Sequence, residues 1–202
     1  MIIIYILVMS EPAIKTATAS DEARLIDALT LAFVADPANR WIWPDPQMYL
    51  LHFPKFAKAF GGAAFAHGSA YYIEGYAGAA LWLPPNVHPD MEALASLLQS
   101  TGSEQAQRDA LGVIEKMGSY HPSEPHWYLP LLGVDPVHHG KGLGSALMQH
   151  ALKRCDSEGK PAYLDSSNAR NISLYKRHGF EQLGTIQVGS SPSIFPMLRR
   201  PR

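Results

Sequence analysis

The chain has 202 residues, 47% of them apolar and 17% charged, which suits one domain with a sizeable core and excludes disordered and fibrous classes. Seventeen Lys plus Arg against eighteen Asp plus Glu leave a net charge of −1, so no basic field is available to hold a polyphosphate backbone and nucleic acid is not expected as a partner. A single cysteine, Cys155, cannot close an internal disulfide, which sets the expectation of a reduced, cytoplasmic protein.

The apolar run at residues 2–8 is too short to span a bilayer, lacks a basic flank and has no small-residue cleavage site after it, so neither a signal nor a membrane anchor is expected. Met9 precedes an ordinary polar beginning, Ser10-Glu11-Pro12. The domain is therefore expected over residues 10–200, with 1–9 as an extension outside its core. Ser20, acids in the first turn and apolar residues at helical spacing predict a helix over 21–33. A proline-broken, Trp-bearing loop is expected over 41–46, then a helix over 50–66 ended by Gly68. Strands at 70–74 and 77–83 flank Gly75 and stop at Pro84-Pro85, as an antiparallel hairpin would. Helices follow at 90–99 and 106–117.

The second half reads as strand (126–134), helix (145–155), strand (162–165), and such a unit needs a crossover between parallel strands of one sheet. Cys155 falls on the helix stripe Gly144, Met148, Ala151, which reads as a core thiol. A further helix is predicted over 169–178, closed by Gly179, with final strands at 184–188 and 194–198.

Between the first strand and helix of that unit stands Asp135-Pro136-Val137-His138-His139-Gly140-Lys141-Gly142-Leu143-Gly144-Ser145. Glycines at alternate positions admit a bulky anion to the backbone, and a helix start offers unpaired N–H groups at the positive end of its dipole. This reads as a pyrophosphate cradle; the plainer reading is a glycine turn for close packing. A P-loop is excluded because Lys141 is followed by Gly142 and Leu143. A dinucleotide fold would use Asp165 on the ribose, but Leu147 occupies its third glycine position and too little chain follows to complete its sheet.

These residues resemble motif A of the GNAT superfamily of N-acetyltransferases, Gln/Arg-x-x-Gly-x-Gly/Ala, with His139 in the place of Gln or Arg. Downstream, Asn168 to Phe180 resembles that family's second signature, an Asn followed by a helix bearing Leu174-Tyr175 and closing with Gly179-Phe180. His126-Trp127-Tyr128-Leu129 and the Trp82-Leu83-Pro84-Pro85 turn further resemble the branch related to puromycin acetyltransferases. The resemblance covers residues 127 to about 183. It implies a mixed α/β fold with a mostly antiparallel central sheet flanked by helices and splayed between two parallel core strands. It also implies direct acetyl transfer from acetyl-CoA to a primary amine, with a small molecule as the expected acceptor and no membrane partner; the rival is a noncatalytic acyl-CoA-binding module.

Carried onto this sequence, the resemblance implies that the backbone of Leu132, Gly133 and Val134 pairs with the pantetheine arm. His139, Gly140, Lys141, Gly142, Leu143, Gly144 and Ser145 would hold the pyrophosphate, and Asn168 and Asn171 would be side-chain partners of the cofactor. Tyr175 would be the acid at the leaving thiolate, with a core aromatic as the plainer reading. An amine with a pKa near 10.4 must also lose a proton. No carboxylate lies on the expected strand, which leaves His126, on one face with Tyr128, and Glu74 or Glu124 acting through water as candidate bases. His121, His126, His138 and His139 straddle prolines at no recognised ligand spacing, and no metal is expected. Trp127 is expected in the core, while Trp41, Trp43, Trp82, Tyr71 and Tyr72 suit either a core or the wall of a pocket for a hydrophobic amine. The sparsely charged surface leaves room for a homodimer.

Overall fold

The computed structural model describes residues 12–202; the apolar run at 2–8, the Met9 start and Ser10-Glu11 lie outside the described residues. Among the described residues seven strands, β1 (Ile14–Thr16), β2 (Ala70–Ile73), β3 (Gly78–Leu83), β4 (Trp127–Val134), β5 (Ala162–Ser166), β6 (Glu181–Gln182) and β7 (Phe195–Arg199), form one sheet in the order β1-β2-β3-β4-β5-β7-β6. Every neighbouring pair is antiparallel except β4 and β5, which run parallel with α7 (Leu143–Ser157) as their crossover. The mixed, mostly antiparallel sheet expected from the resemblance is present.

Two apolar layers cover the sheet. On one face α1 (Glu22–Ala32) and α3 (Pro46–Gly61) bury Leu25, Leu29, Tyr49 and Phe53 against Leu81, Tyr128 and Leu131. On the other, Leu147, Met148, Ala151 and Cys155 of α7 pack on Trp82, Trp127, Leu129 and Met197. Each fully buried Leu, Phe or Met among them is worth about 1.5–3 kcal/mol of apolar transfer. Burial pushes the Cys155 thiol up to about 12, so it carries no thiolate. Trp82 and Trp43 are core residues, as is Trp127, whose indole N–H donates to Glu158 at 2.8 Å.

Several local expectations are corrected. Residues 41–46 are not simply a broken loop: α2 (Pro37–Ile42) takes in Trp41, and α3 begins at Pro46 rather than near Leu50. Both prolines sit at the first helical position behind an aspartate cap, where the missing N–H costs nothing; Asp36 accepts from the amides of Ala38 and Asn39, and Asp45 from Gln47 and Met48. The short β1, too brief to show a period, was not expected. Residues 184–188 make no strand: a lone bridge joins Ile186 to Ile194, and β7, paired with β5 on one edge, has β6 on the other. The helix expected over 50–66 ends at Gly61 and a single further turn, α4 (Ala63–Ala66), follows it. The helices α5 (Met91–Thr101) and α6 (Glu104–Tyr120) lie close to the expected bounds, and α8 (Ile172–Arg177) follows a single 3-10 turn.

The sheet opens at its centre. β5 pairs with β4 only through Leu129, and between Leu81↔Leu131 and Leu83↔Tyr128 two steps on β3 face three on β4, a bulge in β4 at Pro130. Proline cannot donate to the ladder, so the strand breaks alternation there. Beyond the bulge the Asp135 amide donates to the carbonyl of Ala77, just before β3, and alternation then turns the backbone of Gly133 toward β3 and that of Leu132 and Val134 into the opening. At Gly133 a Cβ would meet Ala32 Cβ at 2.6 Å, so only glycine lets the end of α1 close over the splayed strand.

Candidate active site

Two cavities meet at the opening. The first is a cleft of about 660 Å³ between the end of α1, the outward edge of β4, the start of α7 and the 3-10 turn and helix over residues 169–177. Gly140 and Gly142 both have φ +77°, with nothing within 4 Å of where a Cβ would stand, so the loop turns back and leaves its inner side clear. Gly142 caps α7 without a side chain, and the first intrahelical bond is Ala146 N–H to Gly142 O, which leaves the amides of Leu143, Gly144 and Ser145 as the unpaired helix start. Arg170 and Arg177 add two cations to the cleft wall. An open helix N-terminus, an unpaired strand edge and two guanidinium groups fit an elongated polyphosphate ligand with an amide-bearing arm.

The structure brings most of the expected cofactor residues into this cleft: Leu132, Gly133, Val134, His139, Gly140, Gly142, Leu143, Gly144, Ser145, Asn168, Asn171 and Tyr175 all line it, while Lys141 points its ammonium to His138 Nδ1 at 3.0 Å. The backbone of Gly133, however, is turned to β3, so Leu132 and Val134 are the residues whose amides face the opening. His139 donates from Nε2 to the Val134 carbonyl at 2.9 Å, tying the loop to the strand. Ser145 is bonded to His178 at 2.8 Å, and the Asn168 side chain accepts from the Arg170 amide as a cap. Tyr175 is 6% exposed; burial first, and the nearby Asp36 carboxylate second, push its phenol well above 10, so it is a protonated donor.

The second cavity, about 490 Å³, lies on the α1/α3 face and is covered by α5 and α6. Phe33, Trp41, Phe56 and Phe60 line it, and so do Pro130 and Leu131, which the bulge places side by side on one face of β4. Phe33 borders both cavities, and between them Ser167 Oγ donates to Asp36 Oδ2 at 2.5 Å, linking the end of β5 to the start of α2.

Along the wall of this cavity His126 and His121 are 3.1 Å apart (Nε2 to Nδ1), and His121 Nε2 lies 3.8 Å from Oδ2 of Asp165, which stands one residue past the last β4–β5 pair, Leu129↔Leu164. Asp165 accepts from the Tyr163 hydroxyl at 2.8 Å and, more weakly, from Tyr128 at 3.4 Å. Burial pushes its carboxyl up to about 7 against the lowering pull of those two donors. Burial also pushes His121 down to about 4, with His126 and His88 adding to the effect. At pH 6 both partners are neutral.

Sequence reasoning missed several of these residues. Asp165 lies away from the glycine loop and belongs to this cavity, so the ribose role weighed for it has no geometry. Asp36, Ser167, Arg170 and Arg177 carried no motif, although Asp36-Pro37 is a legible helix start, and Pro130 inside a strand is a legible bulge signal. Glu74 is not brought to either cavity: it is held by Lys15 at 2.5 Å on the outer strands. Glu124 pairs with Arg200, and its carbonyl accepts from His126 Nδ1 at 2.8 Å. Among the described residues no group of three or more His, Cys, Asp or Glu is arranged to hold a metal ion, and no helix is long and apolar enough to cross a membrane.

The profile of the Acetyltransferase (GNAT) family matches residues 34–180. An uncharacterized N-acetyltransferase of Schizosaccharomyces pombe is 27% identical over 94% of this chain and 83% of its own length. A solved structure described as histone acetyltransferase HPA2 and related acetyltransferase, from Corynebacterium glutamicum, is 26% identical with a TM-score of 0.68, covering 95% of this chain and 97% of that one. Arylalkylamine N-acetyltransferase 2 of Aedes aegypti has the same fold, with a TM-score of 0.67 at 15% identity over 94% of this chain and 99% of that one.

Proposed function

This chain belongs to the acetyltransferase (GNAT) family and is an acetyltransferase, and on that premise we propose that it moves an acetyl group directly from acetyl-CoA to a primary amine of a small molecule. The observation that carries the reading is the junction of the two cavities: an anion-receptive cleft ends at an apolar cavity across the splay of β4 and β5.

Acetyl-CoA supplies an activated acyl thioester. The Leu143, Gly144 and Ser145 amides and the guanidinium groups of Arg170 and Arg177 bind its phosphates, and the outward edge of Leu132 and Val134 holds the pantetheine amides as an added strand. That register brings the reacting carbonyl toward the bulge, where the outward Leu132 amide donates to the developing oxyanion. Tyr175 donates a hydrogen bond to the leaving sulfur. Because its phenol is held far above the ordinary thiol pKa near 8.5, it stabilises the thiolate without surrendering its proton outright.

Support for a small acceptor comes from the size of the second cavity, whose volume lies within the usual range for small-molecule sites. Calorimetric titration with acetyl-CoA, with NAD and ATP as controls, tests the reading. Micromolar binding of acetyl-CoA alone, followed by amine-dependent thiol release, is the expected result; binding of NAD in its place would overturn it.

A further inference from the structure

The chemistry of the second cavity restricts what enters it. Among the described residues that line it there is no Lys, Arg or Glu, and Asp165 is the one carboxylate. Apart from His88, which is exposed, and the histidines described above, the other polar side chains along the wall are engaged: Asn39 Nδ2 donates to Asp36 at 2.8 Å, Trp41 Nε1 to Ser190 at 3.3 Å, Ser167 Oγ to Asp36 at 2.5 Å, and Ser191 Oγ accepts from the Val188 amide at 2.9 Å. An acceptor bearing a second ammonium, a carboxylate or a ring of hydroxyls would leave those groups buried without partners.

The polar end has a direction. The Glu124 carbonyl can only accept, so His126 carries a proton on Nδ1, and in the neutral ring Nε2 is then bare. His121 must then donate from Nδ1, which leaves its Nε2 bare and facing Asp165 across 3.8 Å. This gap is too long for a direct hydrogen bond and is walled by the rings of Tyr128 and Tyr163, whose centroids lie 4.7 and 4.2 Å from that of His121.

Resting on the acetyl-CoA reading above, we infer that this cavity receives the acceptor, that the acceptor is a primary amine on an uncharged apolar body, and that its nitrogen is received at His121 and Asp165. The amine arrives as an ammonium and gives one proton to His121 Nε2. His121 passes its Nδ1 proton to His126 Nε2, and the resulting imidazolium, half-exposed at the cavity edge, returns a proton to solvent. The freed lone pair forms the C–N bond as the C–S bond breaks. A second nitrogen proton ends on the departing sulfur and the third stays on the amide. The charged and titratable groups facing His121 are His126, His88, Asp165, Tyr128 and Tyr163, so loss of activity toward low pH belongs to this cluster as a unit.

The test is thiol release by the full chain with phenethylamine and hexylamine against spermidine and glucosamine, alongside calorimetric binding of acetyl-CoA. Expected is a kcat/KM at least a hundredfold higher for the two apolar amines. Asp165→Asn and His121→Gln are each expected to lower kcat about a hundredfold and to move or abolish the acidic limb of the pH profile, with acetyl-CoA affinity unchanged. Acetyl-CoA binding combined with faster turnover of spermidine or glucosamine would overturn this inference and leave the acetyltransferase reading standing, as would a normal pH profile in both variants. Failure to bind acetyl-CoA would overturn both.

Discussion

The cleft and the cavity meet at one break in the sheet, yet they are made of different material. The cleft is mostly backbone: a splayed strand edge, two left-handed glycines and the open start of α7. The cavity is side chain, contributed by α1, α2, α3, α5, α6, β4, β5 and the segment near Ile194. Backbone recognition tolerates exchange of side chains but not of backbone conformation, and a side-chain cavity has the opposite sensitivity. Substitutions that separate the two sharpen that contrast.

The largest expected effect is on stability, at Asp165. Its native carboxyl, at about 7, lies above the ordinary value of 3.8, so the unfolded chain releases a proton between pH 4 and 7 that the native state keeps. Stability from this group is fully present below pH 4 and is lost as pH rises through 7, by about 4 kcal/mol for roughly three units. Asp165→Asn keeps the shape and a polar partner for Tyr163 and removes that loss. Denaturant unfolding at pH 5 and pH 8 is expected to show the variant gaining on the parent chain by a few kcal/mol at the higher pH; an equal difference at both would break the assignment.

Next comes Tyr175→Phe, where turnover in the cleft is expected to depend on a side chain. It removes a donor but no apolar volume, so kcat is expected to fall about a hundredfold, or about 3 kcal/mol, with acetyl-CoA affinity intact. Paired steady-state and calorimetric measurements check it. Smaller again is Gly142→Ala: holding φ +77° costs an alanine about 1–2 kcal/mol, so acetyl-CoA affinity is expected to drop about tenfold by calorimetry. The smallest effect is expected at His139→Gln. A glutamine amide can also donate to the Val134 carbonyl, so acetyl-CoA affinity should stay within about threefold. A loss as large as that at Gly142 would show that the cleft reads side chains after all.

Legibility followed the same division. The loop from Asp135 to Ser145 was readable because alternate glycines and a helix start are local, and the parallel strands followed from the spacing of strand, helix and strand. The same locality misled at the prolines: Pro44 and Pro46 read as breaks, whereas Pro46, like Pro37, begins a helix behind an aspartate cap. Glu74 was a candidate only because its type was right, and the register of β1 on β2 keeps it with Lys15. His126 was named for its place before the strand, but its connection through His121 to Asp165 was not legible, since Asp165 stands 39 positions beyond His126 and only the parallel pairing brings it near.

The sequence by itself determined the helix start, the glycine loop, the apolar stripes and thus the family's fold, because hydrogen-bond geometry and periodicity act between residues a few positions apart. Tertiary structure alone decided where the sheet opens, which β4 amides face outward, and that an imidazole held neutral by burial and a carboxyl pushed up to about 7 share the wall of an apolar cavity. Desolvation sets those protonation states, and desolvation depends on which distant segments close over a group.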